Sequence, residues 1–171
     1  MSGKNVLLVV AYEMFRDEEY DEPRRALERA GNQVTVASSA LGEATGRFGL
    51  TASVDVLVKD TNMADYDAVV YIGGPGAREY FDDPAAHKLA VEAAAAGKVI
   101  GAICIGPHTP AAAGVLKGKT ATCFPSEADT LKRHGATYTG AEVEVDGNIV
   151  TASGPEAAKE FGEKLVEALS K

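Results

Sequence analysis

Cys104 stands in the run Ala102-Ile103-Cys104-Ile105-Gly106, with a small residue two positions before it and another two positions after it. This is the spacing of the nucleophile elbow G-x-S-x-G, with a thiol in place of the hydroxyl. A strand that turns sharply into a helix forces its central residue into a strained backbone conformation, where large flanking side chains would collide. Pro107 suits the first turn of the helix that should follow, because its missing N–H has no partner to lose there. The dipole of that helix should favour the thiolate and bring the Cys104 pKa below the free value of about 8.5. The chemistry implied is attack by sulfur on an electrophilic carbon. The contrasting reading is a buried, inert thiol. It suits Cys123, which falls in a strand-like stretch without small neighbours.

A nucleophile needs a proton partner, and two residues are in line for the role. Glu19 belongs to the acidic segment Asp17, Glu18, Glu19, Asp21, Glu22. At helical spacing Glu19, Pro23, Ala26 or Leu27, and Ala30 fall on one stripe, while Glu18, Glu22, Arg25 and Arg29 form a polar one. Glu19 is thereby directed toward the interior, where a carboxylate must find a partner or keep its proton. The stripe by itself supports an inward role and a surface role equally. His108, four residues after Cys104, reaches the thiol only if its side chain bends back toward the elbow, and a helix-surface histidine is the simpler reading. The glycine run Gly73-Gly74-Pro75-Gly76 supplies either backbone N–H groups for an oxyanion or a tight turn that only glycine permits.

The elements that must position these residues follow from periodicity. Asn5 to Ala11 is an apolar run of the kind found in strands covered on both faces. A helix closed by Gly31 and a strand over Gln33 to Ala37 complete a β-α-β unit. Residues 42 to 66 are weaker, with short pieces at Arg47 to Leu50 and Val54 to Val58 that suggest a small antiparallel excursion. Further strands are expected at Ala68 to Ile72, Lys98 to Ile103 and Lys119 to Phe124. Helices are expected at Pro84 to Ala96, from the elbow to Gly114, and from about Ser126 to His134, followed by a hairpin turning at Asp146-Gly147-Asn148. A last helix carries Ala158, Phe161, Leu165 and Leu169 on one face. This alternation argues for an α/β fold, a doubly wound sandwich with a mostly parallel sheet and helices on both faces. In such sheets, sites lie at the carboxyl ends of strands, where the loop after Ala11, the glycines after Ile72 and Cys104 all fall.

Composition narrows the function further. At 171 residues without internal repeats or linkers, the chain reads as a single domain, residues 1–171. With 17 Lys+Arg against 25 Asp+Glu, its net charge of −8 repels nucleic acid and anionic lipid, and the pair Lys117, Lys119 is too small a basic patch to reverse that. No apolar run approaches membrane-spanning length and the N-terminus lacks a small-residue cleavage site, so a cytoplasmic protein is expected. Two cysteines make no disulfide framework. His87, His108 and His134 are too scattered for metal-ligand spacing, so neither metal nor cofactor is expected. The string Ala113 to Thr120 (AGVLKGKT) imitates a phosphate-binding loop, but a helix precedes it and a strand follows, the reverse of what that loop requires.

Taken in order, "EEYDEP", "YIGGPGA", "AICIGP…AGVLKGKTAT", "FPSE" and "VDGNIVTASGP" resemble the ThiJ/PfpI superfamily across nearly the whole chain. The resemblance implies a flavodoxin-like sandwich, a homodimer or higher homo-oligomer, and a reactive elbow cysteine at Cys104. It implies a glutamate partner at Glu19, four residues before Pro23, and oxyanion donors at Gly74 and the amide of Ile105, beside Gly73. The protease-like branch carries histidine directly after the cysteine, where this chain has Ile105. The His or Tyr that family members place before the proline after the next strand is Phe124 here. That departure disfavours an amidase or peptidase, which would need His108 as a substitute base. It favours glyoxalase- or deglycase-type chemistry on small-molecule carbonyl compounds, or a redox sensor or holdase chaperone with an oxidisable Cys104.

Overall fold

The computed structural model describes residues 3–171. In chain order the elements are β1 (Asn5–Val9), β2 (Glu13–Phe15), α1 (Asp17–Arg29), β3 (Gln33–Ser38), β4 (Gly42–Gly46), β5 (Thr51–Val54) and β6 (Val56–Leu57). Then come β7 (Ala68–Tyr71), α2 (Pro84–Ala95), β8 (Val99–Ile103), α3 (His108–Ala112), β9 (Thr120–Ala121) and α4 (Ala128–Arg133). The chain closes with β10 (Thr137–Tyr138), β11 (Val143–Asp146), β12 (Ile149–Ala152) and α5 (Ala158–Leu169). The main sheet has the order β11-β12-β8-β7-β1-β3-β6, parallel throughout except for β11, which pairs antiparallel with β12.

The apolar run of β1 is explained by its central place, because alternate residues enter opposite cores. Val6, Leu8 and Val10 pack with Leu27 of α1 and Phe161, Leu165 and Leu169 of α5. Leu7 and Val9 pack with Leu89, Ala90 and Ala93 of α2, Ala111 of α3 and Leu131 of α4. The chain runs from β1 to β3 on one side and then returns to β7 on the other, so the loops leaving β1 and β7 part in opposite directions. That divergence opens a crevice at the carboxyl ends of these strands. The ends of β1, β7 and β8 border it and deliver, respectively, the loop into α1, Gly73-Gly74 and Cys104.

Three expected strand pieces differ from the sequence reading. Lys119 to Phe124 contributes only Thr120–Ala121, which pairs with β10 outside the main sheet. The remaining amides have other acceptors: Thr122 N–H donates to Thr151 Oγ1 at 2.9 Å and Phe124 N–H to the Cys104 carbonyl at 2.8 Å. The antiparallel excursion does form, as β4 against β5, but Arg47 to Leu50 is its turn rather than a strand, and of Val54 to Val58 only Val54 belongs to it, Val56–Leu57 pairing parallel with β3 in the main sheet. The Asp17 carboxylate accepts from Phe48 N–H and Leu50 N–H at 3.0 and 2.9 Å, tying this turn to the start of α1.

Candidate functional site

Cys104 has φ of +64°, one of only two non-glycine residues in the left-handed region among the described residues. The strain is held from both sides: Cys104 N–H donates to Ala152 O at 2.9 Å, and its carbonyl accepts from Phe124 N–H. A side chain at Gly106 would collide with the carbonyl of Tyr71, so the small residue after the elbow is a steric requirement. The helix after it starts only at His108 and is five residues long.

Glu19 is fully buried. The missing N–H of Pro23 leaves the Glu19 carbonyl without its usual helical donor. Both side-chain oxygens lack a partner of full hydrogen-bonding geometry, so Cys104 and the Gly73 amide act on them as polarised neighbours. A Cβ at Gly73 would strike Glu19 Oε1 and the Cys104 Cβ, and only glycine lets the carboxyl lie against the thiol. Burial pushes the Glu19 pKa up to about 8, against smaller lowering effects from Cys104, Arg16 and the Gly73 amide. The carboxyl therefore holds its proton at neutral pH.

The expected lowering of the Cys104 pKa is overturned. Burial first, then the charge and hydrogen-bond acceptance of Glu19, push it up to about 12. The amides of Gly74 and Ile105 pull it down, but not enough to compensate. A five-residue helix beginning four positions on supplies little dipole at the sulfur. Sulfur and carboxyl thus form a proton-sharing pair that is neutral below about pH 8.

Among the described residues the Gly74 and Ile105 amides donate to no backbone carbonyl, and they converge on Cys104. Gly74 has φ of +106°, and a Cβ there would meet the backbone of Met14, Phe15 and Arg16. Met14, at φ +66°, is the other left-handed residue and lies where the β2–β4 register shifts. That kink lets Arg16 N–H donate to the Gly73 carbonyl at 2.9 Å, locking the glycine loop to the entry of α1.

His108 does not join Cys104. Its Nδ1 is 2.7 Å from Glu127 Oε1, Ser126 Oγ donates to Glu127 Oε2 at 2.7 Å, and the imidazole stacks on Phe81 with centroids 3.7 Å apart. As the first residue of α3 it lies one turn beyond Cys104, and its ring is turned to Glu127 and Phe81 instead of back to the thiol. Phe124, 44% exposed, does face the site, and Cys123 is buried in the opposite core.

Cys104 and Glu19 open on a cavity of about 330 Å³ whose wall includes Arg16, Arg47, Arg78, Phe124 and Glu156. The sequence reading missed these arginines. Arg16 was signalled by its place three residues before Glu19 and Arg78 by its place four after Gly74, but Arg47 is brought in only by the β4–β5 turn. Among the described residues, no three His, Cys, Asp or Glu side chains gather as a metal-binding set, and no helix is long and apolar enough to cross a membrane.

The sequence model of the DJ-1/PfpI family matches residues 4–168. An uncharacterized protein of Methanocaldococcus jannaschii is 41% identical over 174 residues, covering 100% of this chain and 85% of that one. A protein of Pyrococcus abyssi named a deglycase is 34% identical over 149 residues, covering 87% of this chain and 90% of its own. The crystal structure of a ThiJ/PfpI domain protein from Brachyspira murdochii superposes with a TM-score of 0.95 at 32% identity, covering 99% of this chain and 98% of the other.

Proposed function

The chain belongs to the DJ-1/PfpI family, and from that premise we propose that it is an enzyme using Cys104 and Glu19 on small reactive carbonyl compounds, of glyoxalase or deglycase type. The observation that carries this reading is a wholly buried glutamate with unpartnered oxygens set against an elbow thiol. In the molecules whose Glu19 is ionised, a fraction that grows as pH approaches 8, sulfur attacks the aldehyde carbon, its proton passes to Glu19, and the new C–S bond leaves an oxyanion facing the Gly74 and Ile105 amides. Protonation of that oxygen gives a hemithioacetal. With a 2-oxoaldehyde, Glu19 then carries the aldehyde proton from C1 to C2, leaving a thioester that water cleaves to a 2-hydroxy acid and free thiol. The sum is substrate plus one water.

The test is turnover of methylglyoxal. Cys104→Ala is expected to abolish it, and Glu19→Gln to lower it by about 100-fold or more. Equal substrate loss with wild type and Cys104→Ala would overturn the proposal.

A second reading is favoured by the same two amides, which would also hold the oxygens of a Cys104 sulfinate next to a protonated Glu19. Mild peroxide followed by mass spectrometry should then oxidise Cys104 well before Cys123. An amidase or peptidase is not proposed, because the one imidazole nearby in sequence is engaged by Glu127.

A further inference from the structure

The cavity above Cys104 is cationic in a molecule that is not. The chain carries a net charge of −8, yet the wall brings together three guanidinium groups against the carboxylates of Glu156 and Glu19, the second of which is buried. Arg16 is held by Glu18 through two hydrogen bonds of 3.0 and 2.9 Å and lies 5.0 Å from the centroid of Phe48. Arg47 stands over the same ring at 5.6 Å, so one aromatic ring contacts two of the three guanidinium groups. Neither the Arg47 nor the Arg78 guanidinium has a hydrogen bond or ion pair among the described residues, although 25 acidic residues are available in the chain.

A guanidinium offers five donors in a planar fork that matches a carboxylate or phosphate. Two unpaired forks at the mouth of a low-dielectric crevice concentrate anions there against the overall charge of the molecule. A neutral substrate such as methylglyoxal leaves both unused. We infer that the substrate is a small carbonyl compound bearing an anionic oxygen group, carboxylate or phosphate, which Arg47 and Arg78 hold while the carbonyl carbon lies at Cys104. This deepens the proposed function and rests on it for the reacting atom.

Paired alkylation of Cys104, followed by peptide mass spectrometry, tests the inference without turnover. Iodoacetate and iodoacetamide react identically: a C–S bond forms, iodide leaves, and the thiol proton passes to solvent. They differ in charge. In the wild type, iodoacetate is expected to label Cys104 about tenfold faster than iodoacetamide, as a charge-assisted contact would produce. In the double variant Arg47→Gln, Arg78→Gln, that ratio is expected to fall to or below one. A wild-type ratio below one, or a ratio unchanged in the double variant, would overturn the inference. Protection against iodoacetamide at constant ionic strength identifies the anion: stronger protection by inorganic phosphate supports a phosphate group, stronger protection by acetate a carboxylate, and none by either would overturn it. An anionic preference with turnover of neither methylglyoxal nor a 2-oxoaldehyde bearing a carboxylate or phosphate would leave the anion site standing and remove only the chemistry proposed above.

Discussion

At the scale of single residues, Glu19 puts a carboxyl where water cannot reach it, and pH should expose the consequence. Its pKa is about 8 in the folded chain against an ordinary 4.5. Between those values the folded state keeps a proton that the unfolded state has released, so stability is highest below about pH 4.5 and falls as pH rises toward 8. Glu19→Gln removes this dependence. Thermal melts should show the variant more stable than wild type at pH 7.5, by on the order of 2–4 kcal/mol less the cost of its own unpaired amide, with this advantage gone by about pH 4, where only the amide cost is left. A variant less stable at pH 7.5 would contradict the burial argument. The same ionisation governs reactivity: labelling of Cys104 should rise through about pH 8 as Glu19 becomes able to accept the thiol proton, and Glu19→Gln should erase that inflection.

At the scale of elements, the position of Glu19 depends on how closely α1 lies on α5. Gly162 of α5 makes the approach possible, since a Cβ there would be 3.0 Å from Pro23 Cα and 3.1 Å from Ala26 Cβ. Gly162→Val should push α1 outward, lowering stability by about 1–3 kcal/mol and methylglyoxal turnover disproportionately, while Gly114→Val, in open space but at φ +88°, is a control that strains only its own turn. Much of this arrangement was legible in the sequence. The apolar run of β1, the Ala102–Gly106 spacing and the inward stripe of α1 each record a local steric demand, and the structure meets all three. What was not legible came from contacts made between distant segments. The β9 strand is short because Thr122 and Phe124 give their amides to Thr151 and the elbow, and Arg47 enters the site because Asp17 gathers the β4–β5 turn. The state of the thiol was misread for the same reason. A helix dipole can be inferred from local sequence, whereas desolvation by an unseen neighbour cannot.

At the scale of the whole molecule, the charge of −8 and the cationic cavity act over different ranges, and salt separates them. The Debye length is about 10 Å at 0.1 M and about 3 Å at 1 M. Moderate salt should screen the remote carboxylates before it weakens contacts inside the crevice. The rate of Cys104 labelling by iodoacetate is therefore expected to rise toward about 0.1 M salt and fall toward 1 M, with iodoacetamide nearly flat. A steady decline from the lowest salt would mean that the remote charges never reach the site. The left-handed backbone of Cys104 and the orphaned carboxyl of Glu19 also bear on how this protein would respond to laboratory selection. Both are unfavourable to folding, and substitutions that relieve them lie one codon change or a few away. A library screened for heat resistance alone should enrich replacements at these two positions early, and its survivors would retain the sandwich after losing the chemistry. Screening for thermostability would have to include turnover from the first round.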